Sequence, residues 1–368
     1  MELMSKITEM GHEEVVFFHA RDLGLRAIIA IHDTTLGPAL GGCRMLPYKS
    51  EDDALYDVLR LSRGMTYKNA VAGLDLGGGK SVIIGDPKKD KCEAFFRAFG
   101  RFIESLGGRY ITAEDVNTAV EDMVHIFQET SYVAGIPSVF GGSGDPSPFT
   151  ALGTFRGMEA AAEHKYGSRD LSKLSFAVQG VGHVGVHLVR MLRETGAKVY
   201  VCDPDEERVK HVVEKDGAEA VGLDEIYTTD AKVFAPCALG GSVNPKTLPK
   251  LKCEIIAGSA NNQLDTDETG DEVEKRGILY VPDYVINAGG VINVAIERQG
   301  YNKERATHQV NRIFDICNHI FHIAEHEHMP TYKAADRLAE KRIADVGKVR
   351  RPYLPARRRA INGRHTRA

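Results

Sequence analysis

The sequence lacks several features that define other classes of protein. No apolar run approaches the roughly 18 to 20 residues that a membrane-spanning helix needs, and the N-terminus is too polar for a signal peptide. The six cysteines are scattered and form no CxxC pair, which favours reduced thiols over a disulfide framework. No internal repeat or low-complexity segment is present. We therefore expect a cytoplasmic protein without a membrane partner.

Length and charge narrow the class further. A chain of 368 residues exceeds what one hydrophobic core usually organises, which favours two domains, and 43% hydrophobic residues suffice for globular packing. The net charge is −4, but residues 347–368 carry eight Lys or Arg and no acid. A basic tail can bind nucleic acid, yet this one contains Tyr353 as its single aromatic residue. We expect a solvated or subunit-contacting tail and no nucleic-acid partner.

Strand and helix patterns alternate along the chain. The runs EEVVFFHA and LRAIIAIHD predict strands, and Ser50 followed by Asp53 predicts the start of an amphipathic helix that ends near Gly64. Beyond residue 135, the short apolar runs SFAVQ, KVYVCD, KVFAPCAL and EIIAGSA are typical of a parallel sheet covered on both faces. These patterns predict an α/β fold.

A glycine-rich turn follows the run SFAVQ and opens a predicted helix. The turn consists of Gly180, Val181, Gly182, His183, Val184 and Gly185. Such a turn lets backbone amides and a helix N-terminus bind a pyrophosphate. Asp203 ends the next predicted strand, where a carboxylate accepts a hydrogen bond from a ribose and, with Asp205 and Glu206, repels a 2′-phosphate. The pattern predicts an NAD site; the alternative is a tight turn in an α/β domain without a ligand.

Lys80 follows three glycines in a stretch that looks like the end of a phosphate-binding P-loop. The spacing from Gly73 to Gly79 is one residue too long, and an apolar β-branched run follows where a P-loop needs a helix. Lys68 precedes Lys80 by twelve positions, and Asp115 follows a predicted strand. Two neighbouring ammonium groups lower each other's pKa, which suits proton transfer near neutral pH. Spacing alone leaves open whether these lysines are catalytic or simply exposed.

A zinc-peptidase pattern, H-x-x-E-H, occurs at residues 322–326. Phe321 and Ile323 continue an apolar helical stripe, and the neighbouring His319 and His328 indicate a histidine-rich solvent face. Short motifs of this kind often match by chance. We expect no metal site.

An ordered set of motifs runs along nearly the whole chain. They are IHDTTLGPALGG, RLSRGMTYKNA, LGGGKSVIIGDP, GRYITAEDV, SPFTALG, QGVGHVG, APCALGG, AGSANNQL and PDYVINAGGVINVA. By these motifs the sequence resembles the Glu/Leu/Phe/Val dehydrogenase family, whose members reversibly convert L-amino acids to 2-keto acids and ammonia with NAD. The resemblance implies a homo-oligomer, often an octamer in this family, whose subunits have two domains separated by a cleft. Residues 1–135 with about 330–368 would form an α/β domain for substrate binding and oligomerisation, and residues 136–329 a Rossmann-type NAD-binding domain.

The resemblance also implies roles for individual residues. Lys68 would bind the substrate carboxylate, Lys80 would assist the hydrolytic water, and Asp115 would act as general acid and base. Asn262 would bind the substrate, whereas Thr150 and Asn261 would contact the nicotinamide end of NAD. The pocket for the substrate side chain would be lined by Leu40, Gly41, Ala113, Val291 and Val294.

The pocket residues indicate which amino acid the protein would accept. They are apolar, and none could pair with an acidic side chain, so we expect leucine, valine and isoleucine as substrates. Gly79 and Asp145 resemble the phenylalanine-specific branch instead, which leaves phenylalanine or broad specificity as an alternative. A non-catalytic NAD-binding protein is a remote alternative.

Overall fold

The computed structural model describes residues 3–349, so most of the basic tail lies outside the described residues. The first half of the chain contains five strands and four helices. The strands are β1 (Glu14–Ala20), β2 (Leu25–Asp33), β3 (Ala39–Leu46), β4 (Gly77–Ile84) and β5 (Tyr110–Glu114). The helices are α1 (Leu3–Glu9), α2 (Glu51–Val71), α3 (Glu93–Ser105) and α4 (Val120–Phe127).

These strands form one mixed sheet in the order β1-β2-β4-β3-β5. β1, β2 and β4 are antiparallel neighbours, whereas β3 runs parallel to both β4 and β5. Helices cover both faces of this sheet, because successive residues of β2 point to opposite faces. Ile28 packs with α2 on one face, and Ile29 packs with α3 and α4 on the other. Every residue of β4 is buried, so the backbone at Lys80 is fixed at the centre of the sheet.

The helix α2 begins where the sequence predicts and ends later. The Ser50 hydroxyl accepts a hydrogen bond from the Asp53 amide at 3.1 Å, which confirms the predicted start. The predicted end near Gly64 is wrong, because the helix continues to Val71. A glycine inside a helix costs only about 1 kcal/mol relative to alanine, and the buried Thr66 and Asn69 extend the packed face beyond it. The extension places Lys68 on the last turn of α2.

The second half of the chain contains a parallel sheet and nine helices within the described residues. The strands are β6 (Ser175–Gln179), β7 (Lys198–Cys202), β8 (Glu219–Ala220), β9 (Val233–Pro236), β10 (Ile255–Ile256) and β11 (Leu279–Tyr280). The helices are α5 (Ser147–Tyr166), α6 (His183–Glu194), α7 (Glu206–Asp216), α8 (Asp267–Lys275), α9 (Asp283–Ile286), α10 (Gly289–Glu297), α11 (Lys303–Asn311), α12 (Ile313–Glu327) and α13 (Thr331–Gly347).

The second sheet has the order β11-β10-β9-β6-β7-β8, with every pair parallel. Helices cover both faces, which accounts for its short and continuously apolar strands. The strand order reverses beside β6, and ligands of such sheets bind at the carboxyl ends of the strands near that point. The two sheets with their helices confirm the predicted α/β fold.

The helix α13 contacts both halves of the molecule. The Arg342 guanidinium donates to the Leu74 carbonyl at 2.7 Å and to the Asp75 carboxylate at 2.9 Å in the first half. On the other side, the Thr331 hydroxyl donates to the Tyr280 carbonyl at 2.6 Å in the second half. The last helix therefore ties the segment after α2 to the parallel sheet.

Within residues 3–349, no helix is long and apolar enough to cross a membrane. In the H-x-x-E-H segment, His322 and His326 are exposed on α12, and Glu325 lies 3.4 Å from Nε2 of His164. The same described range contains no group of three or more His, Cys, Asp or Glu side chains arranged to hold a metal ion. The helix α12 instead packs through Ile320 and Phe321, which are buried.

Candidate active site

Lys68, Lys80 and Asp115 meet in one cavity of about 280 Å³. Lys68 comes from the end of α2, Lys80 from the centre of β4, and Asp115 from the position directly after β5. The parallel arrangement of β3 with β4 and β5 carries the end of β5 to the level of Lys80. The ammonium nitrogen of Lys80 lies 3.0 Å from Oδ2 of Asp115. The structure thus brings the three charged side chains together around one cavity.

The Asp115 carboxylate is held by two cations. Besides Lys80, the Nε of Arg44 donates to Asp115 Oδ2 at 3.1 Å. Burial would raise the pKa of Asp115, but the charges and hydrogen bonds of Lys80 and Arg44 outweigh burial and lower the pKa to about 2. Asp57 accepts from Arg44 Nη1 at 3.0 Å and thereby orients the guanidinium. At neutral pH, Asp115 is an ionised carboxylate that can accept a proton.

Lys68 forms a hydrogen bond with the second half of the molecule. Its Nζ donates to Oδ1 of Asn261 at 3.0 Å. Burial lowers the pKa of Lys68 to about 8; the Asp283 carboxylate opposes this shift and Lys80 reinforces it. Lys68 therefore changes its charge within a range of pH that is easily reached in an assay.

The amide of Asn261 has a defined orientation. Lys68 Nζ and Asn287 Nδ2 both donate to Asn261 Oδ1, the latter at 2.8 Å. An ammonium group can only donate, so the oxygen of Asn261 must face it. Asn287 Nδ2 also donates to the Ser259 carbonyl at 3.1 Å, which fixes the orientation of Asn287 as well. As a result, Oδ1 of Asn287 is a buried acceptor without a partner in the described chain.

Asn262 occupies a different position from its neighbour. It is exposed, adopts a left-handed backbone conformation (φ 51°) and does not belong to the cavity wall. The amide that reaches Lys68 is that of Asn261. The structure therefore brings Asn261, and not Asn262, to the two lysines.

An apolar wall completes the cavity. All five residues expected to line a side-chain pocket are in this wall: Leu40, Gly41, Ala113, Val291 and Val294. The first three come from β3 and β5, and the last two from α10. The charged residues around the cavity are Lys68, Lys80, Glu114 and Asp115. Once those two lysines are engaged, no further cation among residues 3–349 lines the cavity.

Sequence reasoning missed several residues of this site, among them Arg44, Met65 and Glu114. Arg44 holds Asp115, Met65 lines the cavity one turn before Lys68, and Glu114 lines it beside Asp115. Burial, followed by the charges of Asp145 and Glu121, raises the pKa of Glu114 to about 7. Met65 and Glu114 lie within quoted motifs and Arg44 lies two positions after one, but the roles of all three depend on contacts that the motifs do not reveal.

The glycine turn lies beside this cavity. Gly180 follows β6, Gly182 caps α6, and a Cβ added to Gly185 would lie 2.1 Å from the Gly180 carbonyl oxygen. The turn is held by Asp203, whose Oδ2 accepts from the Val181 amide at 2.9 Å. His183 is exposed at the first position of α6. This arrangement of close backbone, helix N-terminus and strand-end carboxylate suits the pyrophosphate and ribose of a dinucleotide.

Two residues connect the turn to the cavity. Val184 follows His183 in the turn, and Thr150 lies on the first turn of α5; both line the cavity that contains the lysines. Asn287 also lines it, with its unpartnered buried oxygen. A carboxamide such as that of nicotinamide could donate to this oxygen. The residues present therefore fit a nicotinamide dinucleotide that reaches from the turn to the lysines.

Comparisons with known proteins agree with this geometry. Residues 12–132 match the model of the Glu/Leu/Phe/Val dehydrogenase dimerisation domain, and residues 202–351 match that of the Glutamate/Leucine/Phenylalanine/Valine dehydrogenase domain. The chain is 57% identical to a leucine dehydrogenase of Geobacillus stearothermophilus over 365 residues, covering 99% of this chain and 98% of the relative. It is 49% identical to a phenylalanine dehydrogenase of Bacillus thermotolerans, covering 94% and 91%.

A solved structure shows the same architecture. The crystal structure of L-tryptophan dehydrogenase from Nostoc punctiforme superposes with a TM-score of 0.82 at 48% sequence identity, covering 94% of this chain and 99% of that chain. The relatives named above cover between 94% and 99% of this chain. The chain belongs to the Glu/Leu/Phe/Val dehydrogenase family.

Proposed function

We propose that this protein is an NAD-dependent dehydrogenase that reversibly converts leucine, valine and isoleucine to their 2-keto acids and ammonia. The observation that carries the proposal is the Lys80–Asp115 pair, 3.0 Å apart, in a cavity with one apolar wall and the glycine turn at its side. The extensive identity with leucine dehydrogenases supports the same reaction.

Binding and orientation of the amino acid follow from the charges in the cavity. The ammonium of Lys68, held by Asn261, would bind the substrate carboxylate. The aliphatic side chain would then lie against Ala113, Val291 and the rest of the apolar wall. This placement leaves the amino group and Cα facing Lys80 and Asp115. Two fixed ends would hold Cα in one orientation, which accelerates a reaction by avoiding the entropy cost of alignment.

Proton transfer would use the buried pair. Asp115 is ionised and can accept a proton from the substrate amino group. Once Asp115 has released this first proton to solvent water, Lys80 can bind the water that attacks the imino carbon and guide the proton of that water to the Asp115 carboxylate, its neighbour at 3.0 Å. The proton held by Asp115 would then leave with ammonia. The two groups would thus move the protons that these steps require.

The cofactor would be NAD, held by residues of the second half. We propose that the turn from Gly180 to Gly185 binds the pyrophosphate and that Asp203 binds the adenosine ribose. Thr150 and Asn261 would contact the nicotinamide end. When bound, NAD supplies the acceptor for the hydride that leaves Cα.

Two observations weaken the argument for phenylalanine as the substrate. A Cβ added to Gly79 would lie 2.8 Å from Tyr110 Cδ2, so packing under the sheet accounts for this glycine. Asp145 accepts from the Ser147 amide at 2.8 Å and so stabilises the turn that leads into α5. Neither Gly79 nor Asp145 belongs to the cavity wall. The residues that resemble the phenylalanine branch therefore have structural explanations that do not involve the side-chain pocket.

We also propose the domain arrangement and assembly that the family resemblance implies. Residues 1–135 with about 330–368 would form the substrate-binding and oligomerisation domain, and residues 136–329 the NAD-binding domain. The contacts of Arg342 with Leu74 and Asp75 support the assignment of α13 to the first domain. β1 is an edge strand with an exposed Phe17, which suits contact with another subunit. We propose a cytoplasmic homo-oligomer, with the octamer that the family resemblance suggests as the candidate assembly.

The proposal is tested by following NADH formation at 340 nm with L-leucine and NAD. The wild-type protein should produce NADH with NAD and far less NADPH with NADP. Lys80→Ala should lose turnover by a factor of at least about 100, the lower end of acid–base contributions, and should bind NADH as the wild type does. Unchanged turnover in Lys80→Ala would contradict the proposed roles of the buried pair.

A further inference from the structure

Glu297 is the last residue of α10, the helix that contributes Val291 and Val294 to the cavity wall. The partners of its half-buried carboxylate are distant backbone amides rather than basic side chains. The Gly135 amide donates to both carboxylate oxygens at 3.0 Å, and the Ser143 amide donates to Oε1. Burial raises the pKa of Glu297, and the hydrogen bonds from Ser143 and Gly135 oppose that rise.

Gly135 is the point at which the chain passes from one half of the molecule to the other. The preceding amide, that of Ala134, donates to the Thr112 carbonyl on β5 at 2.9 Å. The Gly135 amide donates to Glu297 instead. Two consecutive amides therefore bond to opposite halves of the protein. Gly135 has φ 77°, a left-handed conformation that glycine adopts with little strain. These features define a hinge at residues 134–135.

The segment that follows the hinge closes on itself. The Gly144 amide donates to the Ile136 carbonyl at 3.1 Å, and the Gly142 amide to the Pro137 carbonyl at 3.3 Å. Ser143 and Gly135 lie at the two ends of this loop. The single carboxylate of Glu297 therefore accepts hydrogen bonds from both ends. We call the three hydrogen bonds from Gly135 and Ser143 to Glu297 the carboxylate clasp.

We propose that Glu297 is a positioning residue whose carboxylate clasp fastens α10 to the hinge and so sets the width of the side-chain pocket. Gly135 itself lines the cavity, together with Val291 and Val294 of the same α10. The clasp thus joins two parts of one cavity wall that are otherwise separated by more than 150 positions in sequence. The choice of amino acids in the test below rests on the proposed function.

The test compares Glu297→Gln with the wild type. Glutamine removes the negative charge and presents an NH₂ group where one oxygen was, so the Gly135 amide exchanges one of its two acceptors for a donor, or, with the amide reversed, the Ser143 amide loses Oε1. Hydrogen exchange of residues 130–146 should become at least about tenfold faster, as expected for one broken hydrogen bond to a charged group. The ratio of kcat/KM for L-leucine to that for L-valine should change by at least about threefold, because a methylene group contributes to binding only in a pocket of fixed width. Direct binding of NADH should change by less than about twofold, because the glycine turn is untouched.

A matched control is Glu159→Gln on α5, which removes a half-buried carboxylate that pairs with Arg156. If Glu297→Gln loses thermal stability but keeps the leucine-to-valine ratio of this control, Glu297 is only structural and the proposal fails. Should Glu297→Gln not fold, Glu297→Asp keeps the charge with a shorter reach, and its ratio must shift in the same direction. If the wild type oxidises no amino acid, the proposed function fails. Independently of that result, unchanged hydrogen exchange at residues 130–146 in Glu297→Gln would overturn the proposed role of the carboxylate clasp.

Discussion

The ammonium of Lys68 donates a hydrogen bond to Asn261 at 3.0 Å, across the junction between the mixed sheet and the parallel sheet. One partner lies at the end of α2 and the other lies after β10, 193 positions later. The group proposed to bind the substrate carboxylate is therefore attached to both halves. Motion of one half relative to the other would change the environment of Lys68 directly.

The charge of Lys68 predicts a pH dependence of carboxylate binding. The pKa of Lys68 is lowered to about 8, so the side chain is cationic below that pH and neutral above it. Affinity for 4-methylpentanoate, which is leucine without its amino group, should be constant below about pH 8 and then fall by up to about tenfold per pH unit. Lys68→Met should weaken binding at pH 7 by about 10- to 150-fold, the equivalent of about 1.5 to 3 kcal/mol. Titration calorimetry would measure both; a flat profile up to pH 10 would contradict this role of Lys68.

Asp115→Asn tests the proton acceptor. The amide cannot take up a proton, so turnover of L-leucine should fall by about 10²- to 10⁴-fold, with NADH affinity changed by less than about twofold. Asp57→Asn is a matched control, because Asp57 also accepts from Arg44 but does not line the cavity. Steady-state kinetics with fluorescence titration of NADH would provide both quantities. Equal losses of turnover in the two variants would show that orientation of Arg44, and not proton transfer at Asp115, limits the rate.

Ala113→Gly tests the apolar wall. Removing one methyl group from β5 enlarges the cavity where the substrate side chain is proposed to lie. The ratio of kcat/KM for L-phenylalanine to that for L-leucine should rise by about 10-fold or more, since a methylene is worth about 1 to 3 kcal/mol in such a pocket. Ala39→Gly, a buried strand alanine of the same sheet outside the cavity, is the control. A similar ratio in both variants would place the side-chain pocket elsewhere.

Asp203→Asn tests the choice of cofactor. Asp203 accepts from the Val181 amide, and the asparagine oxygen can keep that bond while removing the negative charge. Because like charges near a protein surface repel by about 1 to 4 kcal/mol, the ratio of kcat/KM for NADP to that for NAD should rise by about 10-fold or more. Glu206→Gln, an exposed acid nearby, should have a smaller effect. If NADP remains as poor a cofactor as before, the acid does not contact the ribose.

Local patterns were sufficient to predict part of this structure. The cap of α2 by Ser50, the glycine turn at Gly180 and the position of Asp115 after β5 each depend on a few adjacent residues, and each appears where predicted. The end of α2 was mispredicted at Gly64, because tertiary packing of Thr66 and Asn69 outweighs the weak helix propensity of one glycine.

The contacts that complete the site could not be predicted locally. Arg44 reaches Asp115 only because β3 lies beside β5, a pairing of segments 71 positions apart. The hydrogen bonds of Asn287 to Asn261, and of Glu297 to Gly135, likewise join segments from different elements. Asn287 lies within the motif PDYVINAGGVINVA, which gave no sign of its role; the unpartnered oxygen that suits a carboxamide emerges only from the fold.

The measurement that tests the central claim most directly is kcat/KM for NAD reduction with L-leucine, L-valine, L-isoleucine, L-phenylalanine and L-glutamate. The geometry predicts the highest value for one of the three branched aliphatic substrates and the lowest for glutamate, because the apolar wall has no cation to pair with an acidic side chain. A higher value for phenylalanine would contradict the proposed substrate, and oxidation of none of the five would contradict the proposed function.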